Sequence, residues 1–342
     1  MSFSVGIVGL PNVGKSTLFK SLTKKSVEIA PRPFTTIHPN IGMVSVPDQR
    51  LEKVAEVIKP EKVTPTVIEF VDIAGLVKGA HQGEGLGNQF LAQIRNCDAI
   101  LEVVRLFSDP GVENVLGEIN PEKEIEIVRI ELLMKDLETL EGAIAKLEKR
   151  GDKKDLKKIA ALKKLKEAVS RGKIISELAL DQEENFEIKE YQFLTAKPIL
   201  NILNTNGKSR ASDFGFKYLE INLKEEGDVA ELSEEEKKEL GLVSKMEKLI
   251  VACYDALDLV TFFTVAGGKE VRAWTLKRGA RAPEAGGVVH TDFQKKFIKA
   301  EAIDWKQLVE AGSWTRAKEK GLVKTAGKDY VVQDGEVIEF KI

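Results

Sequence analysis

An apolar run, Val5-Gly6-Ile7-Val8, leads directly into Gly9-Leu10-Pro11-Asn12-Val13-Gly14-Lys15-Ser16. This junction constrains the fold more than any other stretch of the chain. The spacing G-x-x-x-x-G-K-[ST] requires a strand, a glycine-rich turn and a helix, in that order. Backbone N–H groups of such a turn wrap a phosphate, and the positive end of the following helix adds to the attraction. Such patterns also arise by chance, so context decides. Here Thr17-Leu18-Phe19-Lys20-Ser21-Leu22 continues with helical character. Gly9, Pro11, Asn12, Val13, Gly14, Lys15, Ser16 and Thr17 are therefore candidate nucleotide-binding residues. Lys15 would reach the β- and γ-phosphates as a catalytic candidate, and the Ser16 hydroxyl would ligate Mg²⁺.

Two further signals narrow the class. Asp72-Ile73-Ala74-Gly75 follows the apolar stretch Val67–Val71, 57 residues beyond Lys15. An aspartate at that strand end holds Mg²⁺, usually through water, and the Gly75 N–H would meet the γ-phosphate. Between the two motifs lies Pro33-Phe34-Thr35-Thr36. A threonine there would close on Mg²⁺ in the triphosphate state and relax after hydrolysis. Either hydroxyl fits, and Thr36 is taken as the ligand; the alternative is that the pair simply opens a strand.

Residues 1–120 alternate strand-like and helix-like patterns, and the runs Val5–Val8, Val67–Val71 and Ala99–Val104 fit buried parallel strands. A doubly wound α/β sheet is expected. After Asn120-Pro121 the texture changes. Ile130, Leu133, Leu137, Leu140, Ile144 and Leu147 form a heptad seam, Arg150-Gly151-Asp152 breaks it, and Leu156, Ile159, Leu162, Leu165 and Val169 form a second. The spacing predicts an antiparallel helical coiled coil over 121–190, inserted in the nucleotide-binding domain, which resumes over 191–258 with Ile199–Leu203. Residues 259–342 read as a small α+β module with strands Val271–Leu276, Tyr330–Val332 and Val337–Phe340. An Asp334-Gly335 turn is expected between the last two.

Composition excludes several classes. No apolar run reaches the roughly 20 residues needed to span a bilayer. The first residues carry no charged-then-apolar leader, and Cys97 and Cys253 have neither metal nor disulfide spacing. A cytoplasmic protein without a membrane or DNA partner is expected. Net charge is −2, but residues 261–342 hold 15 lysines and arginines against 11 acidic residues. A basic module on an acidic body fits a nucleic-acid partner, and a solvated surface fits it equally.

The sequence resembles the YchF, or Obg-like ATPase, family. The resemblance rests on Gly9–Phe19, Phe70–Ala80, Gly83–Leu91, Lys269–Thr275, His290–Phe293 and Gly327–Tyr330, and it covers nearly the whole chain. It implies a GTPase-like P-loop NTPase domain with an inserted coiled coil and a C-terminal TGS domain. It also implies a preference for ATP over GTP and association with ribosomes. Leu76 stands where Ras-like GTPases carry the glutamine that orients water, a substitution the family shares. Glu102 stands where many members carry a histidine assigned to hydrolysis, and His81 is a rival catalytic candidate.

The base-reading segment departs from the family. Asn204-Thr205-Asn206-Gly207 keeps the asparagine, but Gly207 replaces the carboxylate that recognises the base. Asn206 would compensate or merely form an Asn-Gly turn; Asn204, Asn206 and Asn222 complete the nucleotide-binding set. GTP or unselective use of nucleotide therefore stays open beside ATP, as does a regulatory protein with little hydrolysis. Mg²⁺ is the expected cofactor; an asparagine at the position of Asn12 holds K⁺ in some related proteins, so K⁺ is a further candidate, with a loop-stabilising hydrogen bond from Asn12 as the alternative.

Overall fold

The computed structural model describes residues 3–24, 40–73, 86–207 and 214–342. Six strands form a first sheet: β1 (Phe3–Val8), β2 (Ile41–Ser45), β4 (Val67–Asp72), β5 (Ala99–Arg105), β6 (Ile199–Asn204) and β7 (Tyr218–Ile221). Their order is β2-β4-β1-β5-β6-β7; β2 runs antiparallel to β4 and every other pair is parallel. Every residue of β5 is buried, as a central parallel strand covered on both faces requires. One face packs on Leu18 and Leu22 of the helix Lys15–Lys24 and on Leu249, Ile250 and Cys253 of the helix Met246–Ala256. The other packs on Leu91, Ile94, Val128 and Leu132. The expected doubly wound sheet is present, and the carboxyl ends of β1, β4, β5 and β6 share one edge.

Between β5 and β6 the helix Pro121–Arg150 runs 30 residues, about 45 Å at 1.5 Å per residue. Asn120 caps it by accepting from the Lys123 N–H, with Pro121 in the first turn, where a missing N–H costs nothing. After the Gly151 turn, Leu156–Ser170 packs back against it through Leu140, Ile144, Leu147, Leu162, Leu165 and Val169. The seam is shorter than its heptad spacing suggests. Ile130 is 46% and Leu156 63% exposed. Near its start the helix turns Val128 and Leu132 to the sheet instead, so the residue on the heptad line at 130 faces solvent.

A second sheet has the order β11-β10-β12-β8-β9-β3. It comprises β3 (Lys62–Thr64), β8 (Leu259–Ala266), β9 (Glu270–Lys277), β10 (Lys299–Asp304), β11 (Lys324–Ala326) and β12 (Glu336–Lys341). Two expectations need correction. Tyr330–Val332 is not a strand: it makes one isolated bridge, Val331 with Arg281, so the Asp334-Gly335 turn closes no hairpin. β12 instead pairs with β10 and β8. The second correction is that β3 comes from the middle of the first sheet's sequence yet pairs with β9. The helix Gln49–Ile58 before it buries Leu51 and Val54 against Phe263, Val271 and Leu308. The excursion between β2 and β4 thus belongs structurally to the second sheet.

Candidate nucleotide site

The turn after β1 has the geometry its glycines imply. Gly9 and Gly14 take φ of 143° and 110°, and Asn12 a left-handed 65° that asparagine tolerates. A Cβ at Gly9 would stand 2.3 Å from the Val103 carbonyl oxygen, and one at Gly14 2.6 Å from Asn204 Nδ2; neither position admits a side chain. Lys15 opens the following helix and is 8% exposed. Its Nζ curls back over the loop, donating to the Leu10 carbonyl at 2.8 Å and the Gly9 carbonyl at 3.2 Å. Burial lowers its pKa, opposed by Asp72 and Glu124.

Asp72, the last residue of β4, meets the next helix position: Ser16 Oγ donates to its Oδ2 at 3.4 Å. Burial raises the Asp72 pKa against the pull of Lys15 and Ser16. A hydroxyl and a carboxylate converging beside a lysine make a hard-oxygen pair of the kind Mg²⁺ prefers.

A cleft of about 970 Å³ opens from this loop, lined by Asn12, Gly14–Thr17, Asn204–Asn206 and Asn222 among others. Both ends of the Asn204 amide are engaged within the protein: Nδ2 donates to the Val13 carbonyl at 2.8 Å and Oδ1 accepts from the Leu223 N–H at 3.1 Å. Asn204 thus couples the phosphate loop to the cap of the helix Leu223–Val229. That cap is Asn222, whose Oδ1 accepts from the Glu225 N–H. Asn206 lies exposed in the cleft, and the Gly207 N–H donates to Thr205 Oγ1 at 3.4 Å. Pro11 and Val13 belong to the loop itself, Val13 being buried in the core.

Glu102 lies inside β5, opposite Val8 of β1. It is 3% exposed, and its Oε1 has no hydrogen-bond partner among the described residues. Burial, then the neighbouring Glu124, pushes its pKa well above the carboxylate range. Glu124, on the long helix, accepts from the Arg105 N–H at 3.0 Å; burial raises it to about 7 against Arg105 and Lys15. Thr36, Gly75, Leu76 and His81 lie outside the described residues.

Sequence reasoning missed one side of the cleft, formed by Phe107, Ser108, Asp109 and Val112. It also missed Arg105, whose guanidinium stacks 4.3 Å from the Phe107 ring centre. The available signal was an arginine ending a strand whose other residues, Glu102 apart, are apolar.

Comparison with known proteins bears on what this geometry serves. A family model described as a 50S ribosome-binding GTPase matches residues 4–141. Another, named for the YchF GTPase C-terminus and described as a protein of unknown function, matches residues 259–342. Curated relatives named ribosome-binding ATPase YchF include one from Bacillus subtilis (strain 168), 44% identical over 364 residues, covering 100% of this chain and 99% of its own. One from Haemophilus influenzae is 46% identical over 361 residues with the same coverage. Among solved structures, that of the Schizosaccharomyces pombe YchF GTPase matches with a TM-score of 0.87 at 33% identity, covering 99% of this chain and 98% of its own.

Proposed function

The chain belongs to the YchF family, and from that membership we propose that it is a Mg²⁺-dependent ATPase acting as a slow switch on the ribosome. The observation that carries the nucleotide reading is the Lys15 ammonium, buried over the Gly9 and Leu10 carbonyls beside the Ser16–Asp72 pair. A lysine in that position costs stability unless an anion arrives to meet it. Gly9–Thr17 hold the phosphates, with Lys15 stabilising charge that develops on the β–γ bridge during hydrolysis.

Ser16 and Asp72 hold Mg²⁺, with Thr36 completing the set and Gly75 meeting the γ-phosphate. The ion supplies charge neutralisation on the phosphate oxygens. The base lies toward Asn206 and Asn222, while Asn204 fixes the loop beneath it. K⁺ beside Asn12 is a further part of this reading, as is a ribosome-facing role for the helical arm and the C-terminal module in the cytoplasm. Glu102 has no proton-transfer role in it, because its side chain is buried within β5, where burial raises its pKa and disfavours the charged form. Without that base, and with Leu76 in place of a water-orienting glutamine, slow turnover follows.

Preference for ATP over GTP is the finer claim. Gly207 offers no carboxylate to the guanine N1 and N2 donors, and an unmet donor costs about 1–3 kcal/mol. Calorimetric titration of the nucleotide-free protein with non-hydrolysable ATP and GTP analogues, with Mg²⁺ and K⁺ present, tests it. A tenfold preference for the ATP analogue is expected. Equal affinities would remove the selectivity and keep the switch. No binding of either would remove the nucleotide reading itself.

A further inference from the structure

We propose that Arg105 is the positioning residue of the nucleotide cleft. Its guanidinium folds the segment 106–114 into one cleft wall and, through that segment, steadies Asn12 of the phosphate loop. The inference rests on the nucleotide reading above and adds a residue to it.

Arg105 ends β5, beside Asn204 of β6. It is 3% exposed, and its guanidinium donates to main-chain carbonyls of the segment that follows. Nε reaches Phe107 at 3.2 Å, Nη1 reaches Glu113 at 3.0 Å, and Nη2 reaches Val112 at 3.0 Å and Asp109 at 3.5 Å. The same guanidinium lies over the Phe107 ring. A surface segment with no helix or strand of its own has been wound around one cation. Only a planar fork of five donors can collect carbonyls arriving from several directions; an ammonium offers three donors at a single point.

The residues so arranged are those that line the cleft: Phe107, Ser108, Asp109 and Val112. The Glu113 carbonyl that Nη1 holds also accepts from Asn12 Nδ2 at 3.4 Å. One carbonyl therefore joins the arginine to the left-handed residue of the phosphate loop. The Arg105 main-chain N–H meanwhile donates to Glu124 in the first turn of the long helix. Phosphate loop, cleft wall and the root of the helical arm thus converge on a single residue that is not itself among those lining the cleft.

The test is Arg105→Lys in the full-length protein, with affinity for the Mg²⁺ complex of a non-hydrolysable ATP analogue, kcat and KM for ATP, and thermal midpoint all measured. The analogue Kd and the KM are expected to rise at least tenfold, about 1.4 kcal/mol. kcat should stay within about threefold, because Lys15, Ser16 and Asp72 keep their own contacts. A role confined to folding would lower the midpoint and leave the Kd of the folded protein alone. Phe107→Ala removes the wall's ring and keeps the guanidinium. It should weaken binding too, and the double variant should be little worse than the weaker single one. A folded Arg105→Lys protein with wild-type Kd, or fully additive losses, overturns the proposal. If Arg105→Lys does not fold, Phe107→Ala decides: unchanged affinity overturns it and weakened affinity supports it. A wild-type protein that binds no nucleotide would instead sink the reading of the cleft.

Discussion

The first sheet ends differently at its two edges. At the carboxyl edge Lys15, Asp72, Glu102 and Glu124 all have pKa values moved against their charged forms, burial being the largest cause in each. At the opposite edge, where the second sheet docks, one network of polar groups is met, although the buried Ser45 Oγ nearby has no partner among the described residues. The Tyr254 hydroxyl donates to the Val260 carbonyl at 3.1 Å and shares hydrogen bonds with Thr261 and Thr275; Thr66 bonds Thr275 in turn. Arg50 joins Asp48 at 2.8 Å to Asp334 at 2.7 Å, and Asp334 also accepts from the Thr261 N–H. Hydrogen bonds and charges from both aspartates raise the Arg50 pKa despite its burial. Satisfied groups make a joint, whereas charges buried ahead of their partner make a binding edge.

The largest effect that tests this contrast is at Lys15. Lys15→Ala should lower ATP turnover about a hundredfold or more, since it removes a cation aimed at developing charge. Its cost in stability should stay under about 1 kcal/mol, because burial already works against the ammonium and its hydrogen bonds go only to two loop carbonyls. Steady-state kinetics and denaturant unfolding on one preparation measure both. A stability loss matching the activity loss would erase the distinction between edges.

The reverse pattern is expected at the joint. Arg50→Ala leaves Asp48 and Asp334 without their cation and should cost about 2 kcal/mol of unfolding free energy, reduced from a buried pair's value by partial solvent access. Nucleotide affinity should hold within about twofold. A large rise in Kd would show that the excursion between β2 and β4 transmits to the phosphate edge along β4.

Which parts of this were legible in sequence follows from the range of the interactions. The phosphate loop and the hairpin are written locally: glycine spacing, a helix start at Asn120-Pro121 and two apolar seams. The joint is not. Lys62–Thr64 pairs with residues 270–272, and no local pattern tells a strand which of two sheets it will join. The same limit misled the readings of Ile130, Leu156 and Tyr330–Val332, each of which continues a local pattern that tertiary packing does not use. Within the site, Lys15, Ser16 and Asp72 stand where their motifs point. Arg105 and Glu124 were hidden because their partners are main-chain atoms, which leave no mark in a motif.

At the binding edge, Glu124 should make stability depend on pH. Its folded-state pKa of about 7 lies above the ordinary 4.5, so between those values the folded protein binds the extra proton. The favourable contribution of that proton is full below about pH 4.5 and is lost as pH rises through 7. Glu124→Gln keeps an oxygen for the Arg105 N–H and removes the titration. Its unfolding free energy relative to wild type should climb from pH 5 to pH 8 by on the order of 2 kcal/mol. A flat difference would mean that Glu124 is charged throughout and that the edge holds less unmet charge than its burial implies.

The smallest effect is expected at Glu102, and it separates the two possible meanings of a buried carboxyl beside a phosphate loop. If the enclosed side chain is neutral, Glu102→Gln exchanges one uncharged group for another of nearly the same shape. Unfolding free energy should then change by less than about 1 kcal/mol, and ATP turnover should hold within about twofold from pH 6 to pH 8. If the carboxylate were instead the base that activates water, the amide would lower turnover by about 10²–10⁴ and abolish an acid limb in the pH profile. The strand position favours the first outcome: Glu102 pairs with Val8, one residue short of the loop, and its side chain is sealed inside the fold. A carboxyl that keeps its proton there would add no charge to a site that must attract a polyanion, in line with the direction in which burial moves its pKa.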